Sequence, residues 1–208
     1  MNRLKFSSHE VKILRCAYSM GHNGWRLNKL KPIKKKIKIK KRADQEETCC
    51  YCQRDTTGEY NMVLDIEHVL PKSLRVKNMF TLKNLAVSCK RCNMEIKGTK
   101  TNFLTVPINR LPKRAFKSHL YKFVHPNLDK AESHIERICV QKGKARIIKY
   151  VFPNLSAKGQ YTYQFFKLRE LEVDSANKAQ GRKSGKKIKD SDIEKAFNTL
   201  ENSYQHVP

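Results

Sequence analysis

Two C-x2-C pairs, Cys49/Cys52 and Cys89/Cys92, constrain this chain more than any other feature. Each pair forms a tight knuckle that can present two thiolates to one tetrahedral Zn²⁺. A four-thiolate clip ties together the two ends of the stretch it encloses, so residues 49–98 are expected to form a compact unit. Seven cysteines could also make disulfides. However, the start of the chain lacks the apolar centre of a secretion signal, so metal binding in a reducing, cytoplasmic setting is expected. Cys16, Cys50 and Cys139 have no partner by spacing and read as packing residues. Cys50 also leaves open a ligand register shifted by one.

The loop closed by the clip contains reactive side chains. Residues 60–66 have strand composition and lead into Glu67-His68, a carboxylate followed directly by an imidazole. Pro71 then opens a loop carrying Lys72, Arg75, Lys77 and Lys83. Asn84 stands at the entrance to a second strand, 85–88, and Asn93 begins a helix that Gly98 ends or interrupts. Hydrolysis of a phosphodiester needs a base for water, a neutralised phosphate and help for the leaving oxygen. A neutral imidazole with a pKa near 6.5 suits the first task. A hard divalent cation on oxygen ligands suits the second. His68 is the candidate base, and Glu67 with Asn93 the candidate ligands for Mg²⁺ or Mn²⁺. Asn84 is expected to orient the imidazole or to pin the loop backbone. Because Glu67 and His68 are adjacent, both reach one phosphate only if the chain turns there.

The charge balance names a partner class. A net charge of +25 favours a polyanion, of which nucleic acid is the commonest. An acidic membrane surface is the other candidate, but no apolar run of about 18 residues spans a bilayer. Residues 29–42 carry nine Lys or Arg in fourteen positions and no acid. Such a cluster suits sequence-independent phosphate contact rather than a solvated tail. Within it Ile33, Ile37 and Ile39 partly alternate with lysines, which suggests an edge strand. Lys34, Lys35, Lys36, Lys38, Lys40, Lys41 and Arg42, together with Lys72 and Lys97, are the candidate nucleic-acid contacts. For Lys97 an ordinary surface position is an equal alternative.

The rest of the chain supplies appendages, and the fold class expected is α+β. Segment 1–43 is a helical lead-in with the basic stretch, its first helix opened by a Ser7-x-x-Glu10 capping box and facing inward with Val11, Leu14, Ala17 and Tyr18. Gly21 and the Gly24-Trp25 step end that helix. Trp25, the only tryptophan, reads as a core residue in preference to a base-stacking one. Segment 44–105 is the clipped core, and 106–173 an accessory α/β region. That region includes a turn and helix at 126–136, a hairpin from 138–140 and 145–152, and a strand or helix near 160–168. His125 and His134 read as structural. Segment 174–190 is a basic joint. Segment 191–208 is an amphipathic helix opened by Ser191-x-x-Glu194, with Ile193, Phe197, Leu200 and Tyr204 on one stripe that needs a partner.

Glu67-His68, then Asn84, then Asn93, set between two C-x2-C knuckles, resembles the HNH family of ββα-metal endonucleases. The resemblance covers about fifty residues. It implies a ββα-metal core with His68 as base, Glu67 and Asn93 on a catalytic divalent metal, Asn84 in a supporting role, and a structural Zn²⁺ on the four cysteines. The third signature position is often histidine and is asparagine here. The acid before the base is often aspartate, and the longer glutamate leaves Asp65 as a competing ligand. A looser similarity, in Glu67-His68-x-x-Pro71-Lys72-Ser73 and around His125 and His134, is to small HNH nucleases of anti-phage systems of the Septu and retron-associated kinds. It implies a defence role beside an ATPase.

Three classes of function are therefore expected: a metal-dependent endonuclease with DNA the favoured substrate, a non-cutting zinc-ribbon binding module, and a subunit that docks on a larger assembly through its last helix.

Overall fold

The computed structural model describes residues 4–60, 62–143 and 145–172, and within 192–199 all but 194 and 197. The chain divides into two compact units, one up to Asp129 and one from Lys130. This division falls after Asp129, inside the segment 106–173 expected to form the accessory region. The expected joint at 174–190, the capping pair Ser191 and Glu194, and Phe197, Leu200 and Tyr204 of the last stripe lie outside the described residues. No described helix is long and apolar enough to cross a membrane.

The first unit begins with helix α1, Ser8–Ser19. Its capping box forms as the sequence requires: Ser7 Oγ accepts from Glu10 N at 3.2 Å and Glu10 Oε2 accepts from Ser7 N at 2.7 Å. Ala17 is buried, while Ile13 and Leu14 pack beside it and Tyr18 stands exposed. Gly21, at φ +65°, ends the helix. Gly24 then packs flush on α1, since a Cβ there would sit 1.8 Å from Ala17 O.

The basic stretch is a helix, not a strand: α2 runs Lys31–Asp44, with Pro32 in its first turn where a missing N–H costs nothing. Leu30, Ile33 and Ile37 follow the i, i+3, i+7 spacing of one helical face, and all three are buried against Ala17 and Leu85. Ile39 lies off that stripe and is 58% exposed.

Strands β1, Leu64–His68, and β2, Leu85–Cys89, pair antiparallel with Glu67 opposite Ala86 and His68 opposite Leu85. β1 is shorter than its composition suggests, for Tyr60 and Met62 are exposed before it starts. Every residue of β2 is buried. Its outer edge is closed by Cys50 N, which donates to Val87 O at 3.1 Å, and by the Gln45 amide, which pairs with Val87 N and Val87 O at 2.8 Å each. After β2 the chain enters a wide π-helical segment, Arg91–Lys97, closed by a five-residue hydrogen bond from Gly98 N to Asn93 O at 2.8 Å. π-turns of this kind recur at functional sites.

Residues 99–129 cover this hairpin. Phe103, Tyr121 and Phe123 cluster, the Phe103 and Phe123 rings being 4.4 Å apart, and Phe123 meets Tyr51 edge to face at 5.6 Å. The Arg75 guanidinium donates to Ile108 O and Pro112 O at 3.2 and 3.1 Å, so this loop cation ties segments together. Asn127 does the same for β2, donating to Leu85 O and Lys83 O.

The second unit holds the hairpin β3, Glu136–Lys142, with β4, Ala145–Val151, and helix α3, Ala157–Phe165. The helix expected at 126–136 is only the short turn Ala131–Ser133. Ile193, in the described part of the last helical stretch, packs with Ile138 and Ile147. The hairpin of this same unit therefore covers that member of the stripe. The fold is α+β, with two small two-stranded sheets among the described residues.

Candidate nucleic-acid and metal site

Four buried thiols, those of Cys49, Cys52, Cys89 and Cys92, lie within 4.8 Å of one another. Cys52 Sγ and Cys89 Sγ are 3.9 Å apart. A tetrahedron of sulfurs about 2.3 Å from a central ion has edges of about 3.8 Å, so the cage can hold a metal such as zinc. Cys89 N donates to Cys49 Sγ at 3.3 Å, which fixes one knuckle against the other. Cys50 is not a member of the group, which settles the register. Cys16 and Cys139 are exposed and do not pack inside.

Beside the hairpin lies a groove of about 530 Å³, lined by Trp25, Lys34, Lys35, Lys38, Asp65, Ile66, Lys72, Asn93 and Met94. Helical phase explains which lysines are there. Lys34, Lys35 and Lys38 follow the i, i+1, i+4 spacing of one face, turned away from Ile33 and Ile37. The other members of the run face elsewhere: Lys36 pairs with Glu10 at 3.0 Å, Lys40 with Asp44, Arg42 with Glu47, and buried Lys41 bonds Asn127. The pKa values of Lys34, Lys38 and Lys72 are all lowered, burial being the leading cause and neighbouring cations adding to it. An anion in the groove relieves that repulsion.

On the floor of this groove Asn93 Nδ2 donates to Asp65 Oδ2 at 3.0 Å, and Lys90 Nζ reaches Asp65 Oδ1 at 3.1 Å. A carboxylate and an amide in contact offer two hard oxygen donors. Glu67 is not with them. It is buried, 2.7 Å from Lys97 Nζ and accepting from Tyr51 Oη at 3.0 Å. Burial raises its pKa, and Lys97 and Tyr51 oppose that shift. In this structure Glu67, expected as a metal ligand, is held apart from Asp65 and Asn93 by Lys97, and Lys97, expected as a nucleic-acid contact or a surface lysine, is its buried counterion. Lys97 Nζ also donates to His68 O at 2.9 Å.

His68 stays within β1, and no turn brings Glu67 and His68 to a common face. Its Nε2 lies 3.0 Å from Met79 O. A carbonyl only accepts, so Nε2 carries the hydrogen and Nδ1 holds the lone pair. Burial first, and Lys72 next, push the imidazole pKa down to about 3, so the ring is neutral. Trp25 meets it edge to face, with centroids 4.5 Å apart. Asn84 does not touch the ring. It accepts from Leu70 N at 2.7 Å and donates to Leu70 O and Asn78 O at 3.1 Å each. It thereby pins the loop that carries Met79, the second of the two roles open to it.

Trp25, which lines the groove, and Tyr51, which holds Glu67, are the residues at this site that sequence reasoning placed elsewhere or passed over. Their contacts, to His68 and Glu67, cross between elements and leave no local pattern. The phase of Lys34, Lys35 and Lys38 against Ile33 and Ile37 was a readable signal.

No family model, no curated protein and no solved structure matches this chain.

Proposed function

We propose that this chain is a metal-dependent endonuclease of HNH type, with a ββα-metal core of β1, β2 and the π-helical segment. The observation that carries this reading is the Asp65–Asn93 contact on the floor of a groove walled by four lysines. Hard cations that act on phosphates are commonly held by one or two protein oxygens and the substrate itself. Asp65 and Asn93 would hold Mg²⁺ or Mn²⁺, which when bound supplies neutralisation of charge developing on the phosphate and the leaving oxygen.

Lys34, Lys35, Lys38 and Lys72 draw the phosphodiester in and offset its charge. His68 takes the proton of the attacking water at Nδ1, while its Nε2–H stays on Met79 O. A phosphate against Lys72 removes one cause of the depressed pKa and adds a negative charge, so the imidazole becomes more basic when substrate is in place. Asn84 acts through the Met79 loop. The four cysteines would hold a structural Zn²⁺, which when bound stabilises the fold.

The test is cleavage of plasmid, linear DNA and RNA with added Mg²⁺ or Mn²⁺. His68→Ala should lose about 10²–10⁴-fold in rate while keeping nucleic-acid affinity. Asp65→Asn and Asn93→Ala should raise the metal requirement, and excess Mn²⁺ should partly restore them but not His68→Ala. The enclosure of Glu67 by Lys97 favours a second reading, a binding module that does not cut. Absence of cleavage with every substrate and metal would select it.

A further inference from the structure

The walls of the groove are of two kinds. Lys34, Lys35, Lys38 and Lys72 provide charge, whereas Trp25, Ile66 and Met94 provide apolar and aromatic surface. A duplex docked on its outside offers sugar and phosphate, and its bases stay stacked within. That would answer the lysines and leave the indole, Ile66 and Met94 against water or polar sugar. An unpaired nucleotide answers both walls, with a flat apolar base and a charged backbone.

Trp25 is already in place for such a base. His68 and Phe80 flank its ring, with centroids at 4.5 and 5.7 Å. Lys34 Nζ donates to Trp25 O at 3.2 Å and lies 5.4 Å from the indole centroid. An aromatic held on several sides loses little freedom when a ligand arrives. The same lysine puts a cation beside that base, where a flanking phosphate would lie. Lys34 to Lys38 is one helical turn, about 6 Å along α2. Met94, 64% exposed on the π-helical segment, offers a polarisable side chain as another apolar wall.

We propose that the groove takes single-stranded nucleic acid, one unpaired base lying against Trp25 and its flanking phosphates on Lys34, Lys35, Lys38 and Lys72. This rests on the proposed function for the groove as a phosphate site and goes further in naming the substrate class. Cleavage would act on unpaired strands, or on a nucleotide drawn out of a duplex.

Because Trp25 is the only tryptophan, its fluorescence reports directly on this contact. The full chain, with its cysteine-bound metal kept and no Mg²⁺ or Mn²⁺ added, is titrated with a short oligothymidylate, an abasic strand of the same length, and a fully paired duplex of that length. Oligothymidylate should quench the emission and bind about 5- to 150-fold tighter than the abasic strand, the span of stacking one base on an aromatic side chain. The duplex should leave the emission unchanged. With labelled strands, Trp25→Leu should erase the preference for thymidylate over the abasic strand while keeping the salt dependence of both, and Trp25→Phe should keep part of the preference. Equal affinity for thymidylate and abasic strands, or quenching by the duplex as strong as by the single strand, overturns the proposal. Those outcomes leave the nuclease reading standing, whereas a single-strand preference without any cleavage defeats the nuclease reading alone.

Discussion

Lys97 Nζ lies 2.7 Å from Glu67 Oε1, and neither side chain is more than 2% exposed. The pair links three parts of the core. Tyr51, inside the first cysteine knuckle, donates to Glu67, and Lys97 donates onward to the backbone of His68. Removing one partner strands the other charge in the interior, at a cost of about 3–5 kcal/mol. Lys97→Met and Glu67→Gln should each lower stability by that order in urea unfolding, and the double variant should recover most of it. Glu67→Gln should also bind Mn²⁺ as the wild type does, unlike Asp65→Asn. A Glu67→Gln protein of unchanged stability but lost Mn²⁺ affinity would return Glu67 to the metal.

A second prediction concerns acid. The His68 imidazole titrates near 6.5 when unfolded and is pushed down to about 3 in the fold, by burial first and Lys72 next. Between those values the unfolded chain binds a proton that the folded chain refuses. The contribution is therefore complete above about pH 6.5 and is lost as pH falls, at about 1.4 kcal/mol per pH unit. His68→Gln should flatten the fall in stability between about pH 6 and 4 relative to wild type. Parallel curves for the two proteins would contradict the buried neutral ring.

Features legible in the sequence are those carried by neighbours along the chain. The two cysteine pairs assemble at their spacing, and the Ser7–Glu10 capping box forms because both partners belong to one helical turn. The order of β1, β2 and the Asn93 segment was also readable from composition and turn residues. What escaped depends on contacts made through space. Glu67 looked like a metal ligand because nothing near it announces Lys97, thirty residues on. Helix α2 was obscured by its β-branched isoleucines, whose apparent alternation rested on exposed Ile39, while Leu30, Ile33 and Ile37 carried the helical period. Trp25 is at once a core residue and a wall of the groove, and its sequence context distinguishes neither role.

A third prediction separates the cysteines. Cys50 adjoins the cage without belonging to it, so Cys50→Ser should keep one bound metal and the folded state. Cys49→Ser or Cys92→Ser should lose both, since a structural Zn²⁺ contributes on the order of 10 kcal/mol to folding. Metal content by mass spectrometry, with circular dichroism on the same samples, checks this. A folded, metal-free Cys92→Ser protein would show that the clip is dispensable.

The last prediction rests on the phase of α2. The net charge of +25 is spread over the molecule, but only certain lysines face the groove. Each phosphate neutralised on a single strand contributes about 0.7 to the slope of log affinity against log salt. Replacing Lys34, Lys35 and Lys38 with Gln should therefore flatten that slope by about 2 for single strands, if each makes one contact. Replacing Lys36 and Lys40 with Gln removes two charges from the same helix, yet those side chains are paired with Glu10 and Asp44. Their loss should move the slope by less than one contact's worth and leave affinity at fixed salt nearly unchanged. The comparison holds helix content and composition close to constant, so it distinguishes a located phosphate track from a diffuse cationic field. Flattening in proportion to the charges removed, three against two, would mean that the basic helix acts through its total charge, and that the groove has no special claim on the strand.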